Sequence, residues 1–463
     1  MFKRLLLASL LTTVSVPALA IGKSDCERLW AEHAIRTCDR SLSWRGCARA
    51  FLVCASMELD TRDFPRAIRD FSAAVALDPS SASAYSGRAV AYHYKGELDL
   101  ALADFARVLE LGPKSAFIYV ERGNLFAQMG DEDRALLEFN KAIELDPSQV
   151  NAYVGRANIY VDMKKYDVGI AEYDKIVELA PGEAQVYRAR GSLFMSQGDL
   201  TRAIADYDRS IALNPSDARS YDNRGFAHLQ MGNIQPALAD LDRAIDLDPN
   251  DSRALQLRSL LYSEKREFEH ARADIDRAMG LDPKNAKTFI ARSIFYRATG
   301  DFDRAIAAAG TAIELAPQTA ASWASRGVAR FDSGDIKGAV ADMGQALEFG
   351  DDAYSILFLY LVRAKSGQSA EAELAAGAAR LTTSNWPAPL IELFLGKRDP
   401  ASALAAAADP RQRCTARFYI AELHLLKGNR AAAKSGLQDT VAACAHDFLG
   451  TDGADAELRR LGP

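Results

Sequence analysis

Residues 116–149 read AFIYVERGNLFAQMGDEDRALLEFNKAIELDPSQ, and the same types of residue return every 34 positions along the chain. The clearest marker of this period is a proline at position 32 of successive copies. Eight prolines follow it: Pro79, Pro113, Pro147, Pro181, Pro215, Pro249, Pro283 and Pro317. A fixed period of this length indicates a protein built by repeating one supersecondary unit. Nine copies fit, and they span residues 48–353.

Within each copy, the apolar residues follow the spacing of helices. Aromatic residues are frequent at positions 4 and 11, small residues stand at positions 8 and 20, and glycine is usual at position 15. Positions 4, 8 and 11 share one helical face, so every first helix points its aromatic side chains the same way. A glycine near position 15 permits a turn, and the proline near position 32 ends the second helix. The sequence therefore predicts an all-α fold of antiparallel helix pairs that stack on their neighbours.

These columns resemble the tetratricopeptide repeat (TPR) family, whose pattern also has an aromatic residue at position 24 and an alanine at position 27. Position 24 is aromatic here in five copies: Phe71, Phe105, Phe139, Tyr173 and Tyr207. The resemblance implies a right-handed α-solenoid of nine units over residues 48–353. Residues 354–463 are expected to form degenerate helical hairpins and a C-terminal cap, because terminal repeats commonly depart from the consensus.

The first twenty residues have the pattern of a secretory signal peptide. The start MFKR is basic, residues 5–16 carry no charge, and Ala18 and Ala20 supply a small-residue cleavage site. We therefore expect residues 1–20 to be removed before Ile21 and the mature chain to act in the bacterial periplasm. The alternative is an uncleaved membrane anchor, but the uncharged run is shorter than the roughly 20 residues that span a bilayer. A lipoprotein would need a cysteine at the first mature position, which this chain lacks.

Positive and negative charges are nearly balanced and interspersed, with 56 Lys and Arg against 62 Asp and Glu and a net charge of −6. This distribution lacks the basic patch that is typical of proteins that bind nucleic acid or anionic lipid. The expected partners are proteins or peptides, with no nucleic acid and no membrane insertion after signal cleavage.

The chain has six cysteines, an even number, which favours disulfides in an exported protein. In two antiparallel helices the start of the first lies beside the end of the second, which favours nested pairing. The expected pairs are Cys26–Cys54, Cys38–Cys47 and Cys414–Cys444. The four N-terminal cysteines allow three pairings, and residues 21–47 are predicted to form a Cys-rich capping helix. A zinc site is the competing interpretation, but zinc ligands usually show shorter cysteine spacing, so we expect no metal.

Two charged columns run through the repeats. Position 7 is arginine in eight copies: Arg88, Arg122, Arg156, Arg190, Arg224, Arg258, Arg292 and Arg326. Position 23 is acidic in nearly all copies: Asp70, Asp104, Glu138, Glu172, Asp206, Asp240, Asp274 and Asp342, with Ala308 as the exception. The arginines are open to two interpretations, a polyanion-binding ladder or a row of ion pairs between the two helices. We favour ion pairs, since arginine and carboxylate suit a partly buried interface.

Positions 2, 5, 9, 12 and 13 of the first helix form one stripe about 100° wide, here called the groove face. The TPR resemblance implies that this stripe lines a concave surface that holds extended peptides or helices. Its polar members are the candidate partner-binding residues: Asn124, Asn158, Asp162, Arg188, Arg219, Asp222, Gln230, Arg253, Gln256 and Arg297. The asparagines at position 9 of two successive copies resemble those of TPR domains that clamp the C-terminal carboxylate of a peptide. Such a clamp needs a basic residue at position 5, where Val120 and Val154 stand instead.

Familiar catalytic and cofactor motifs are missing from the sequence. No P-loop, G-x-G-x-x-G, G-x-S-x-G, H-E-x-x-H or C-x-x-C occurs, and the six histidines never fall at metal-ligand spacing. The sequence therefore predicts a protein that is not an enzyme and that uses no cofactor or metal.

These observations favour a periplasmic scaffold or adaptor that binds proteins or peptides. The segment FYIAELHLLKGNRAAAKSGLQDTV, residues 418–441, resembles the periplasmic TPR adaptor lipoproteins of Gram-negative bacteria, which dock murein hydrolases and a tail-specific protease. The alternative is a structural component of an envelope polysaccharide export or synthesis assembly.

Overall fold

The computed structural model describes residues 44–112, 114–350, 352–380, 386–444 and 451–462. Every regular element among these residues is a helix, and most helices follow one another in pairs, which confirms the all-α prediction. The chain divides into two compact units, the first over Met1–Val186 and the second over Tyr187–Pro463. The signal peptide over residues 1–20 and most of the cap over residues 21–47 lie outside the described residues.

The first unit has four helix pairs among its described residues, and each pair is one repeat. Its helices are α1 (Trp44–Asp60), α2 (Phe64–Leu77), α3 (Ala82–Lys95), α4 (Leu98–Leu111), α5 (Ala116–Gln128), α6 (Glu132–Leu145), α7 (Val150–Asp162) and α8 (Tyr166–Leu179). The boundary between the units falls inside the next helix, α9 (Ala184–Ser196).

The second unit continues the repeats and then leaves them. The repeat helices are α10 (Leu200–Leu213), α11 (Ala218–Gln230), α12 (Ile234–Leu247), α13 (Ser252–Glu264), α14 (Phe268–Leu281), α15 (Ala286–Ala298), α16 (Phe302–Leu315), α17 (Ala320–Ser333) and α18 (Ile336–Phe349). The helices that follow are α19 (Ala353–Lys365), α20 (Glu371–Arg380), α21 (Ala388–Phe394), α22 (Pro400–Ala405), α23 (Pro410–Leu426), α24 (Arg430–Ala443) and α25 (Thr451–Leu461). Among the described residues, no helix has both the length and the apolar character needed to cross a bilayer.

Aspartate at position 16 begins the second helix of several repeats. The side chains of Asp131, Asp199 and Asp335 each accept a hydrogen bond from the backbone N–H three residues further on, at 2.9 to 3.0 Å. This bond satisfies one of the N–H groups that have no partner at the start of a helix. The repeat therefore fixes the beginning of its second helix through one side chain.

Position 15, between the two helices, has a left-handed backbone. Glycine occupies it in six repeats with φ of 76° to 92°: Gly96, Gly130, Gly198, Gly232, Gly300 and Gly334. Three repeats place a longer side chain there, and Arg62, Lys164 and Arg266 keep φ at 63°, 59° and 58°. The left-handed region costs a non-glycine residue roughly 1 kcal/mol. Packing of the repeat therefore imposes this turn even where the sequence lacks glycine.

We expect Lys164→Gly to raise the free energy of unfolding of the first unit by roughly 0.5–1 kcal/mol, because glycine removes the strain of the left-handed backbone. Urea unfolding followed by far-UV circular dichroism measures the change. Lys165→Gly is the matched control, since Lys165 has an ordinary φ of −87° and should gain nothing. A loss of stability in Lys164→Gly would contradict this account of the turn.

The arginines at position 7 bind the carboxylates at position 23 of the same repeat, which confirms the ion-pair interpretation. The pairs, at 2.6 to 3.4 Å, are Arg88–Asp104, Arg122–Glu138, Arg156–Glu172, Arg190–Asp206, Arg224–Asp240, Arg258–Asp274 and Arg326–Asp342. Some arginines also reach position 25 of the preceding repeat, as Arg156 does to Oδ1 of Asn140 at 2.7 Å. The column therefore joins helices both within a repeat and between repeats.

The repeat with Ala308 at position 23 lacks this carboxylate. Its arginine, Arg292, instead donates a hydrogen bond to the hydroxyl of Tyr296 at 3.3 Å. The guanidinium carbon lies 5.5 Å from the centroid of the same ring. The aromatic residue at position 11 thus takes part of the role that the carboxylate has elsewhere.

The aromatic residue at position 24 fills the space between successive first helices. Phe139, from α6, is completely buried. A Cβ added to Gly123 would lie 2.7 Å from its ring, and one added to Gly155 would lie 2.3 Å from it. Glycine in α5 and in α7 therefore makes room for one phenylalanine between two repeats.

Disulfides are present in both units. Cys414 and Cys444 are bonded across the α23–α24 hairpin, with their Cα atoms 5.8 Å apart, as predicted. Cys47 and Cys54 each take part in a disulfide as well, and no described cysteine is free. Their predicted pairing with Cys38 and Cys26 falls outside the described residues and stays a prediction.

Candidate functional site

The structure gives the ten predicted groove-face residues different environments. Four are exposed: Asn158, Asp162, Arg219 and Gln230. Three are half-buried: Asn124, Arg188 and Arg253. Three are buried: Asp222, Gln256 and Arg297. A partner can therefore reach only some of the ten predicted residues.

Three groove-face residues of the second unit, Arg188, Asp222 and Arg253, bind side chains in or at the start of a neighbouring first helix. Arg188 in α9 lies 2.9 Å from Oδ2 of Asp217, the N-cap of α11. Asp222 in α11 pairs with Arg253 in α13. Burial raises the pKa of Asp222 to about 6, and the charge of Arg253 opposes that shift. These contacts hold successive repeats in register.

The same arrangement continues along the second unit. The amide nitrogen of Gln256 donates to the hydroxyl of Thr288 in α15 at 2.8 Å. Arg297 in α15 pairs with Asp332 in α17 at 2.7 Å, and both side chains are buried. Gln256 and Arg297, predicted as partner-binding residues, therefore bind within the chain. Stacking places successive first helices side by side, so these long polar side chains form hydrogen bonds and ion pairs with the next repeat.

The first unit has an accessible groove face that includes residues outside the ten predicted ones. Nε2 of His93 in α3 lies 3.0 Å from Oε1 of Gln128 in α5. Tyr94 is 38% exposed, and its ring stacks on Phe64 at 5.3 Å between centroids. His93, Tyr94 and Gln128 occupy positions 12 and 13, which the sequence already assigns to the groove face. Their residue types also suit ordinary helix packing, so the sequence pattern does not single them out.

A buried carboxylate lies beneath this surface. Glu121 in α5 is only 4% exposed, and its Oε2 is 3.9 Å from Nδ1 of His93. The other oxygen of Glu121, Oε1, has no hydrogen-bond partner among the described residues. Burial raises the pKa of Glu121 to about 7, so this side chain changes charge near neutral pH.

We expect Glu121→Gln to stabilise the first unit at pH 8 by about 1–3 kcal/mol and to have little effect at pH 5. A carboxyl whose pKa is higher in the folded state destabilises that state as pH rises from its unfolded value of 4.5 through about 7. Urea unfolding at the two pH values measures the difference. Glu144→Gln, at an exposed site on α6, is the control and should show no such dependence. Equal effects of Glu121→Gln at both pH values would contradict the shift.

Among the residues that the structure describes, no group of three or more His, Cys, Asp or Glu side chains is arranged to hold a metal ion. On the groove face, amides and carboxylates offer hydrogen bonds, and partly exposed aromatic and aliphatic side chains offer apolar contact.

Comparisons with known proteins agree with the repeat. Family models described as tetratricopeptide repeat or TPR repeat match residues 55–116, 123–164, 154–218, 193–262, 252–285 and 294–355. Together these spans cover more than half of the chain. No curated protein matches it.

Solved structures are also similar over part of the chain. A tetratricopeptide repeat protein from Parabacteroides merdae ATCC 43184 is 18% identical, with a TM-score of 0.49 over 54% of this chain and 99% of that one. Pseudomonas aeruginosa pilF is 22% identical, with a TM-score of 0.40 over 45% and 94%. YrrB, described as a TPR protein with an unusual peptide-binding site, is 21% identical, with a TM-score of 0.33 over 40% and 95%.

TPR proteins generally mediate protein–protein interactions. The 34-residue period, the stacked helix pairs and the matching family models lead to one assignment. The chain belongs to the tetratricopeptide repeat family.

Proposed function

We propose that this protein is a periplasmic scaffold that binds peptide or protein partners on the groove face of its first unit. The observation that carries the proposal is the set of accessible polar side chains on adjacent first helices, namely Gln128 in α5 and Asn158 and Asp162 in α7. Helices α5 and α7 are in contact. Side-chain amides both donate and accept hydrogen bonds, so they match a peptide backbone whatever its sequence.

Apolar contacts complete this surface. Tyr94, which follows His93 in α3, is partly exposed, and His93 contacts Gln128. Phe117 and Val154 are half-buried on the groove face. A partner gains affinity by burying such side chains, and aromatic rings contribute most per residue. Mixed amide and apolar character fits an extended peptide or one face of a helix.

The periplasmic location rests on the signal-peptide pattern over residues 1–20. The chain recovered from the periplasmic fraction should begin at Ile21. A chain that stays in the cytoplasm with Met1 in place would overturn the location and leave the binding surface untouched.

We expect a photo-crosslinking amino acid at Asn158, placed in the full chain in cells, to give discrete covalent adducts, because a bound partner lies within reach of this exposed side chain. Mass spectrometry of the adducts identifies the captured molecule. The matched control is the same amino acid at Glu144, which is exposed on the second helix α6. Identical adducts from both positions would contradict a binding role for the groove face.

The chemistry of the adduct also separates the two functional hypotheses. Peptide fragments from a defined protein support the scaffold. Adducts that carry glycan and no peptide would instead favour the alternative, a component of an envelope polysaccharide assembly.

A further inference from the structure

One acidic residue departs from the repeat pattern at position 6 of the first helices. Position 6 holds an uncharged residue in eight copies, and Glu121 in α5 is the exception. The uncharged residues are Val53, Gly87, Gly155, Ala189, Asn223, Leu257, Ala291 and Ser325. Stacking of the repeats therefore needs no carboxylate here, and burying one without a partner costs free energy. Glu121 is for this reason a candidate for a role in binding.

The carboxyl of Glu121 lies next to groove-face side chains of the preceding repeat. Its Oε2 is 3.9 Å from Nδ1 of His93, which stands at position 12 in α3. Tyr94 stands at position 13, where burial raises the pKa of its hydroxyl and the charge of Glu121 raises that pKa further. The carboxyl of Glu121 is therefore close to the two groove-face residues at the end of α3.

One oxygen of this carboxyl has no role in the fold. Glu121 is only 4% exposed, and its Oε1 makes no hydrogen bond among the described residues. A buried carboxylate normally has a cation or hydrogen-bond donors around both oxygens. The neighbouring side chains on the groove face are less enclosed, since His93 is half-buried and Tyr94 is 38% exposed. An acceptor without a partner therefore lies just below an accessible surface.

The charges around Glu121 favour a positively charged partner. No lysine or arginine stands at positions 2, 5, 9, 12 or 13 of α3, α5 and α7, and Asp162 adds an exposed carboxylate in α7. Arg62, in the turn before α2, acts on Tyr94 through its charge, but its side chain is exposed and salt screens it. The groove face of the second unit differs, because it carries four arginines: Arg188, Arg219, Arg253 and Arg297.

We propose that the groove face of the first unit selects its peptide partner by one lysine side chain, whose ammonium group binds Oε1 of Glu121 beside α3. The Tyr94 side chain turns aside to admit the lysine, a rotamer change of the kind that is common at interfaces, and its ring packs on the aliphatic stem. The lysine site depends on the proposed function, because it belongs to the same binding surface.

The number of available oxygens favours lysine over arginine. An ammonium group is a compact charge that one carboxylate oxygen can bind, whereas a guanidinium group binds best to two oxygens at once. Asn124, three residues after Glu121 on the same side of α5, is half-buried and offers a second acceptor. Oε1 of Gln128 lies 3.0 Å from Nε2 of His93, so the amide nitrogen of Gln128 is left to donate to a peptide carbonyl.

The test selects peptides with the full chain. A library of random octapeptides, acetylated and amidated so that their ends are uncharged, is passed over the immobilised protein at pH 8. We expect the retained peptides to share a lysine at one position with the wild type and to lose this preference with Glu121→Gln. That variant keeps the size of the side chain and is expected to be more stable at this pH, so unfolding would not explain the loss. Glu144→Gln, at an exposed site on α6, is the matched control and should keep the lysine preference.

A double-mutant cycle tests the contact itself. One retained peptide is labelled with a fluorophore, and its lysine is replaced by norleucine, which has a similar stem and no charge. Anisotropy titrations should show at least about tenfold weaker binding of the norleucine peptide to the wild type. With Glu121→Gln, the two peptides should differ by less than about twofold.

Two results would overturn the lysine site and leave peptide binding intact. One is a set of retained peptides without a preferred lysine, and the other is an equal loss from norleucine with the wild type and with Glu121→Gln. A protein that retains no octapeptide would contradict the lysine site and peptide binding together. The crosslinking test at Asn158 detects a partner whatever its sequence, so the lysine site and the proposed function can fail separately.

Discussion

Phe139→Ala is expected to lower the free energy of unfolding of the first unit by about 3–5 kcal/mol, since a fully buried ring is removed and its cavity remains. The ring packs against Gly123 in α5 and Gly155 in α7, where the close backbone approach leaves no other side chain to fill the space. The loss should appear as a lower urea midpoint, with faster hydrogen exchange in α5 to α8. Leu137→Ala on the same helix is the control, because Leu137 is 57% exposed and should change stability by less than about 0.5 kcal/mol.

A second variant tests the same packing from the glycine side. Gly155→Ala places a methyl group 2.3 Å from the Phe139 ring and should destabilise the unit by about 1–3 kcal/mol. In the double variant the methyl group occupies space that the ring has vacated, so the combined loss should be smaller than the sum of the single losses. Additive losses would show that the two residues do not share this space.

The second large effect is expected in the core of the C-terminal region. Nζ of Lys365 in α19 lies 2.8 Å from Glu422 in α23 and 2.5 Å from Glu457 in α25. Glu422 is fully buried and Glu457 is 4% exposed. Lys365→Met leaves both carboxylates without this cation, and we expect it to lower the free energy of unfolding of the second unit by about 3–5 kcal/mol at pH 8.

The pH dependence of this loss identifies its cause. Burial raises the pKa of Glu422 to about 7, and the charge of Lys365 opposes the shift. Without the lysine, the folded state favours protonated carboxyls more strongly, so the deficit of Lys365→Met should shrink when the pH falls from 8 to 5. Lys365→Arg keeps the charge and serves as the control. A deficit that is equal at both pH values would mean that Lys365 acts through packing.

The sequence predicted the repeat architecture because the contacts that define it are formed within one repeat or between neighbouring repeats, and they recur along the chain. The 34-residue period and the aromatic residue at position 24 depend on neighbours within about one repeat. The ion pairs between positions 7 and 23 were predictable for the same reason, since Arg88 and Asp104 are only 16 residues apart. The Cys414–Cys444 bond also follows from the geometry of one helical hairpin.

The groove face was predictable as a stripe but not residue by residue. Asn158 and Arg297 both belong to that stripe, yet one is exposed and the other is buried and paired with Asp332. The difference depends on which side chains of other elements pack against each residue, as Asp332 of the next repeat packs against Arg297. A position number carries no information about this packing.

By itself, the sequence determined the helices, their pairing and the apolar spine of the repeats, because periodic local contacts define all three. Only the tertiary structure decided which groove-face residues remain accessible and where α25 binds. The contacts of the C-terminal helices join residues far apart in the chain. Arg411 in α23 binds Glu264 across 147 positions, and Asp455 in α25 binds Arg266 across 189. Ion pairs at such separations follow no period, and burial of a charge depends on every element that packs around it.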